Sequence, residues 1–517
     1  MNLWCVSMEC AGIAEAGGVK NVTYSLCKEF SLLGHNVTLF IPAFKCTQLD
    51  LLHDIKKDFF SLQIDFCDKK ESISYTKAVF SEGNFQVILV NHKCFSEKEA
   101  VYTYTENEQK NNPDFIKGKG HLDSHFMDVL FQKSVFEYFI HNQDEKLPQI
   151  IHCQDASTAI LPAFFLNIPK LQLPRFVVTI HNAGPFYHHE FKNLEQAEYF
   201  TSLPIKLLKN SMNNNKVEPF LIAANSNAKL TTVSPEYANE LVNPAFYNQT
   251  DGLSTIFASK KIKITGITNG FDFERYNPKD KNFSKLPYEF DPSSKNLKGK
   301  FLCRDYFLQN IVQSDNFDTT GIKKYGSISQ KDGIFIAYHG RITTQKGISV
   351  LTDTIPHIIN NFEDVNFVIA GQGESELENK IIELTKKYPQ RVFFINGYNQ
   401  KVVRLATASC DFMVLPSFFE PCGLEDFIAQ SYGTLPIAHK TGGLNKIIDN
   451  KTGFLYNDNT PESLTVKLTE VIMIKKLKPE RIISMIKKAS DYIYKEYLWK
   501  NVIEKKYIPF FKKIKKF

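Results

Sequence analysis

Two α/β domains, each a mostly parallel sheet doubly wound with helices, are what this sequence predicts, and three observations predict them. Short β-branched or aromatic runs alternate with longer helical patterns through both halves of the chain, as they do where each strand is followed by a crossover helix. In the second half the strand runs begin at Ile334, Val365, Val392, Phe412 and Leu435, at intervals of 31, 27, 20 and 23 residues, close to one strand-helix unit each. A length of 517 residues exceeds what one hydrophobic core normally organises, so two domains are the default.

Taken in order, Met1 to Glu9 has no basic leader and only a brief apolar run broken by an acid, so it reads as a first strand and not a signal peptide. The first half then carries strand runs at Leu3 to Met8, Asn36 to Ile41, Gln86 to Asn91, Gln149 to His152, Phe176 to His181 and Leu230 to Val233. A polar stretch from Asp251 to Lys263 marks the expected join, giving domains over 1–257 and 258–490. Asp280 to Lys331, rich in Lys, Asn, Ser and Asp, reads as helical connection and surface loop without sheet. The second half adds Ile334 to His339, Val365 to Ala370, Val392 to Asn396, Phe412 to Leu415 and Leu435 to Ala438. Residues 491–517 form a separate C-terminal helix, in which Tyr492, Tyr494, Tyr497, Trp499, Tyr507, Phe510 and Phe511 interleave with lysines, the pattern of an amphipathic helix packed on one face.

Composition excludes several classes. Hydrophobic residues at 43% and charged ones at 23% are globular values and exclude disorder of the whole chain. No stretch approaches ~18 uninterrupted apolar residues, so the expectation is a soluble, cytoplasmic protein with no membrane partner. Ten cysteines are scattered without a C-x-x-C pair or zinc-type histidine spacing, which fits reduced thiols and no metal site. From Lys475 onward there are 14 Lys and Arg against 4 Asp and Glu, an excess larger than the whole-chain +6. The basic surplus is therefore a property of the tail, a solvated helix face rather than a nucleic-acid surface.

The most informative segment is Phe419-Glu420-Pro421-Cys422-Gly423-Leu424, followed by Thr441-Gly442-Gly443-Leu444. It comes directly after the strand run Phe412 to Leu415 and so places a carboxylate beside a helix start. Pro421 holds Glu420 extended, and Gly423 and Leu424 are expected to offer unpaired backbone N–H groups to a phosphate, leaving Glu420 for sugar hydroxyls. Alone, the hexapeptide also fits a plain strand-to-helix turn. Arg341 and Lys346 follow the run Ile334 to Gly340 and emerge from one strand-end loop. Two fixed cations there would neutralise charge gathering on a diphosphate leaving group, Arg as a fork and Lys as a point charge. No D-x-D pair exists to hold a metal ion against a diphosphate, so cations and amides are expected to take that role.

Together with Glu15-Ala16-Gly17-Gly18-Val19, Ile180-His181-Asn182 and Asn269-Gly270-Phe271-Asp272, these segments resemble, in order, bacterial glycogen synthases and plant starch synthases from about residue 3 to about residue 510. The resemblance implies the GT-B architecture, two Rossmann-like domains facing across a cleft whose closure would exclude water, with the last helix crossing back to the first domain. It implies a retaining transfer of glucose from a nucleotide sugar, ADP-glucose before UDP-glucose, to the 4-hydroxyl at the non-reducing end of an α-1,4-glucan, without a cofactor. The first domain would take the glucan and the second the nucleotide sugar. Glu420, His181, Arg341, Lys346 and Asp155 would carry the chemistry, His181 by reaching the donor sugar. Gly17, Gly18, Asn269, Cys422, Gly423, Leu424, Thr441, Gly442 and Gly443 would bind substrate or nucleotide. No residue is marked as a nucleophile below the anomeric carbon, so a same-face mechanism is preferred over double displacement.

The chain departs from the family at several points. Glu15 stands where the family reads the lysine of K-x-G-G-L; the expectation is that it turns outward or meets the glucan while Lys20 restores positive charge. Asn21 stands where the family tends to place Asp. Gln154 and Ala156 flank Asp155 where the family often reads H-x-H-D-W, and Asn182-Ala183-Gly184-Pro185-Phe186-Tyr187 replaces H-N-L-A-Y-Q-G after the histidine. These departures keep two alternatives open: a retaining glycosyltransferase with another acceptor, and a catalytically weakened glucan-binding regulator. A dinucleotide oxidoreductase reading of Gly371-Gln372-Gly373 is set aside because Glu376 takes the place of the third glycine.

Overall fold

The computed structural model describes residues 1–141, 146–169, 173–314 and 317–514. In chain order its strands are β1 (Asn2–Val6), β2 (Asn36–Pro42), β3 (Leu52–Phe66), β4 (Lys69–Phe80), β5 (Gln86–Asn91), β6 (Ile150–Gln154), β7 (Arg175–Ile180), β8 (Met212–Asn213), β9 (Lys216–Val217), β10 (Lys229–Thr232) and β11 (Ile264–Gly266). They continue with β12 (Ile322–Gly326), β13 (Ile334–His339), β14 (Val365–Gly371), β15 (Val392–Gly397), β16 (Phe412–Leu415), β17 (Leu435–His439) and β18 (Phe454–Tyr456).

The chain divides into two compact units, Met1–Gly270 with Trp499–Phe517, and Phe271–Leu498. The join expected near residue 257 falls inside the helix Leu253–Ser259 of the first unit, which is followed there by the edge strand β11.

The first unit holds a nine-stranded sheet in the order β11-β10-β7-β6-β1-β2-β5-β4-β3. The β5–β4 and β4–β3 pairings are antiparallel and the others parallel. β1 is apolar almost throughout because both faces are covered; Leu3, Trp4, Cys5 and Val6 are all buried. The helix Val19–Leu32 buries Val22, Leu26 and Phe30, one face at a spacing of four residues. The C-terminal segment packs into this unit. Phe511 stacks on Phe30 with ring centroids 5.7 Å apart, and Arg175 Nη1 donates to the carbonyls of Phe511 and Ile514 at 2.8 and 3.0 Å. A Cβ on Gly270 would lie 2.4 Å from the Trp499 ring, so the glycine lets the indole close on the backbone.

The second unit holds a seven-stranded sheet, β12-β15-β14-β13-β16-β17-β18, parallel except for β12 against β15. Along β13, Ile334, Ile336 and Tyr338 join one hydrophobic core while Phe335 and Ala337 join another on the opposite face, the two-layer burial a wound sheet requires.

The stretch 280–331 was expected to hold no strand, yet Ile322–Gly326 is one. It is a half-exposed sheet edge on which Lys323 is exposed while Lys324 Nζ donates to the carbonyls of Ile311 and Ser314 at 2.6 and 2.9 Å, so the usual apolar signature is missing. The basic aromatic tail is not one helix. Pro479–Glu496 belongs to the second unit, and Trp499–Val502 and Ile508–Lys513 belong to the first. Trp499, Tyr507 and Phe511 are buried, whereas Tyr494 is exposed; Lys515 and Lys516 lie outside the described residues.

All ten cysteines are free thiols. Among the described residues no helix is long and apolar enough to cross a membrane.

Candidate active site

In a wound parallel sheet, ligand crevices open beyond the carboxyl ends of strands where the strand order reverses. In the second unit that point lies between β13 and β16, neighbours in the sheet. Both loops singled out in the sequence leave from it. The loop after β13 carries Arg341 and Lys346, and the loop after β16 carries Glu420.

These two loops are laced together. Lys346 Nζ lies 2.5 Å from Glu420 Oε2, and Ser417 Oγ donates to the same oxygen at 2.9 Å. Gln345 Nε2 donates to the Phe419 carbonyl at 3.1 Å, and the Phe418 amide returns a bond to the Gln345 carbonyl at 2.9 Å. Gly347 ends the first loop at φ +68°, and a Cβ there would sit 1.8 Å from the Pro416 carbonyl oxygen. Only glycine allows that approach. Burial alone would lower the Lys346 pKa, but the carboxylates of Glu420 and Glu425 hold it above the ordinary lysine value. Arg341 is exposed, and its guanidinium makes no hydrogen bond among the described residues; its carbonyl accepts from the Tyr338 hydroxyl at 2.7 Å.

The Thr441-Gly442-Gly443 segment backs the Glu420 loop. The Gly443 amide donates to the Glu420 carbonyl at 2.7 Å, and a Cβ on Gly443 would fall 2.0 Å from the Cys422 carbonyl oxygen. Thr441 is buried, its hydroxyl 3.4 Å from the Phe418 carbonyl.

A residue the sequence reading missed holds this stack. Lys446 Nζ donates to the carbonyls of Cys422, Gly423 and Gly443 at 2.6, 2.9 and 3.0 Å. It also pairs with the buried Asp426 carboxylate at 2.9 Å.

The expectation that Gly423 and Leu424 present unpaired amides needs correction at Leu424. Its N–H donates to Glu425 Oε2 at 3.2 Å. Glu425 starts a helix of seven residues, Glu425–Ser431, and an acid in the first turn is drawn to the free amides there.

A cavity of about 560 Å³ opens beside the carboxyl ends of β14 and β15, lined by residues that include Gln372, Ser375, Glu378, Asn379, Asn396 and Gly397.

In the first unit the reversal lies at β1, flanked by β2 and β6. The glycine loop follows β1 and Asp155 follows β6. Asp155 takes a left-handed φ of +67°, which turns its carboxylate onto the end of β7, where Oδ1 accepts the His181 amide at 3.3 Å. Burial pushes the Asp155 carboxyl up to about 7, against the pull of His189 and three backbone amides.

His181 Nε2 lies 2.8 Å from Gln154 Oε1. The Gln154 amide nitrogen is turned to the Cys5 sulfur at 3.7 Å, which leaves its oxygen for the imidazole and places the proton on Nε2. Burial lowers the His181 pKa to about 3, so the ring is neutral. Gln154, noted in the sequence only as a departure, is thus the direct partner of His181.

Glu9 was not singled out, yet it organises the glycine loop: its Oε2 accepts the amides of Ala16 and Gly17 at 3.0 and 2.5 Å. Gly18 precedes the helix Val19–Leu32 with no neighbour within 4 Å of where a Cβ would stand. Glu15 accepts the Gly12 amide at 2.9 Å and pairs with Lys20 at 2.8 Å. Lys20 therefore does not supply a loose positive charge in place of the family lysine; it is matched by the acid that replaced it. Asn269 is buried, and its Oδ1 has no hydrogen-bond partner among the described residues.

Known proteins match this chain along both units. Residues 2–256 match the family model described as starch synthase catalytic domain, and residues 323–489 the one described as glycosyl transferases group 1. A glycogen synthase from Thermodesulfovibrio yellowstonii is 28% identical across 99% of this chain and 97% of its own. One from Mycoplasma mobile is 28% identical across 91% and 92%. In fold, the chain is similar to the catalytic domain of starch synthase IV from Arabidopsis thaliana bound to ADP and acarbose, with a TM-score of 0.78 over 99% of each chain at 22% identity. With both family models in place and relatives matched along nearly their whole length, the chain belongs to the glycogen synthase and starch synthase family of GT-B glycosyltransferases.

Proposed function

We propose that the protein elongates an α-1,4-glucan by transferring glucose from ADP-glucose to a non-reducing-end 4-hydroxyl, with retention of configuration. The observation that carries this reading is the Lys346–Glu420 pair at the strand-order reversal of the second unit. It sets a fixed cation for a diphosphate beside a carboxylate for sugar hydroxyls. The neighbouring cavity of about 560 Å³ is of the size that takes a nucleoside, which favours a nucleotide sugar over a simple sugar phosphate.

In this mechanism Arg341 and Lys346 stabilise the diphosphate as the bond from C1 to the leaving oxygen breaks. The acceptor O4 bonds to C1 on the same face, and its proton passes to the departing phosphate. Glu420 and neutral His181 position the glucosyl unit, with His181 taking one of its hydroxyls. Asp155, on the first unit, orients the acceptor or a sugar hydroxyl. Gly17, Gly18, Asn269, Cys422, Gly423, Thr441, Gly442 and Gly443 shape the binding surfaces. Such an enzyme works where nucleotide sugars are made, in the cytoplasm.

Purified protein assayed with ADP-, UDP- and GDP-glucose on glycogen tests the proposal: label enters polymer, fastest from ADP-glucose. No incorporation from any donor refutes it. A second reading, a glucan-binding protein with weakened catalysis, is favoured by one observation: Glu15, paired with Lys20, replaces the family's phosphate-side lysine. Glycogen binding without incorporation would select it.

A further inference from the structure

We propose that the Glu425 carboxylate is a built-in anion seated where the donor's diphosphate must bind, so that donor affinity is set by its displacement. This rests on the donor-site reading above.

Acids in the first turn of a helix are common and ordinarily point toward solvent. Glu425 instead folds back on its own helix start, its Oε2 accepting the Leu424 amide at 3.2 Å. The carboxylate lies in the fields of Lys346 and His339. Lys346 is paired with Glu420 at 2.5 Å, and the charge of Glu425 acts on the same ammonium through its field. The free protein thus supplies its own negative partner for the amide and the cation that a pyrophosphate would use.

One group beside it is unmet. His339 Nδ1 is buried with no hydrogen-bond partner among the described residues, and burial keeps that ring neutral by lowering its pKa. A neutral imidazole nitrogen carrying a proton would donate to a phosphate oxygen; the Glu425 carboxylate, turned to the Leu424 amide, leaves it unused. When the diphosphate enters, Glu425 swings out, and Lys346, the Leu424 amide and His339 pass to the ligand. The charge on Glu425 then opposes the donor in proportion to how long it stays seated.

The test is calorimetric titration of the full-length chain with ADP, and separately with inorganic pyrophosphate. Glu425→Gln should bind both about tenfold or more tightly than wild type, since it removes a like charge at contact range. Glu425→Asp keeps the charge but is too short to reach back to the Leu424 amide, and should fall between the two. A dissociation constant for Glu425→Gln equal to or weaker than that of a wild type that does bind ADP overturns this inference alone. So does Glu425→Asp matching wild type, which would mean the charge acts from a distance. If Glu425→Gln fails to fold, the Glu425→Asp comparison decides. If neither wild type nor variants bind ADP, the donor reading falls and this inference with it.

Discussion

The Lys346 ammonium and the Glu420 carboxylate stand 2.5 Å apart at the ends of two neighbouring strands, and Ser417 bonds the same carboxylate oxygen. Both side chains are largely buried, at 14% and 11% exposure, so neither charge can be removed without stranding the other. Lys346→Ala is expected to lower glucose incorporation about 100-fold or more and to destabilise the fold by a few kcal/mol. Lys346→Arg should not restore activity, because a planar fork cannot replace a point charge in this space. Incorporation assays and urea unfolding on both variants check this; activity of Lys346→Ala within tenfold of wild type counts against the assigned role.

Asp155 predicts a trade between stability and activity. Its folded pKa, pushed to about 7 by burial, lies above the unfolded value of about 3.9. The native state therefore holds its proton longer, and stability falls as pH rises from about 4 to about 7. Asp155→Asn removes that loss. The variant should be more stable than wild type at pH 8 by roughly 1–3 kcal/mol, discounted because the side chain is only partly buried, and equal to it near pH 4. Transfer should fall at the same time. Thermal melts at the two pH values decide the first point, and a lower midpoint for the variant at pH 8 would contradict it.

Asp411 predicts the opposite pH dependence. Its Oδ2 accepts from Arg304 Nη2 and the Phe335 amide, each at 2.9 Å, and its Oδ1 lies 3.2 Å from Lys475. Burial would raise this carboxyl, but Arg304 and Lys475 bring it down to about 2. With the folded pKa below the unfolded one, the stabilisation is present above about pH 4 and lost as pH falls toward 2. Asp411→Asn should cost about 3–5 kcal/mol at pH 7 by leaving Arg304 buried without its partner. The gap should narrow in acid. Urea midpoints at pH 7 and pH 3 measure both quantities.

Phe186 is 99% exposed and takes a left-handed φ of +77°, a conformation costing a non-glycine residue roughly 1–2 kcal/mol. The loop is held on both sides. Tyr237 Oη accepts the Ala183 amide at 2.8 Å, and the His188 ring bridges Glu218 Oε2 at 2.7 Å and the Ala183 carbonyl at 2.9 Å. An aromatic face so presented, just after His181, suits a sugar ring of the proposed acceptor. Phe186→Ala should change unfolding free energy by less than about 0.5 kcal/mol. It should raise the KM for glycogen several-fold while leaving the donor KM unchanged; an unaltered glycogen KM sinks the role.

Much of this was legible from residue order. Ile334–His339 and Phe412–Leu415 are the strands β13 and β16, because a strand covered on both faces leaves an unbroken apolar run. Gly442 and Gly443 stood out in the sequence by resemblance, but the approaches that require Gly443 and Gly347, to the carbonyls of Cys422 and Pro416, are visible only in three dimensions. The hairpin β3 and β4, Leu52–Phe66 with Lys69–Phe80, was not foreseen. Most of β3 is exposed and it carries Lys56, Lys57 and Asp58, so neither alternation nor hydrophobicity announces it. Lys446 and Glu425 escaped for another reason: their partners are set by three-dimensional proximity. The only local hints were a lysine four residues past Gly442 and an acid at a helix start. Gln154 was visible as a departure, but its bond to His181 required the register of β6 against β7.

One buried ammonium, Lys446, grips backbone oxygens from Cys422, Gly423 and Gly443. Segments some twenty positions apart along the polypeptide are thereby welded into a single slab. Any adjustment that accompanies substrate arrival then falls to side chains the weld does not hold, such as Glu425 and the exposed Arg341. Replacing the ammonium in Lys446→Met would strand the buried Asp426 carboxylate and leave the bond from the Gly443 amide to the Glu420 carbonyl as a remaining tie between the two segments.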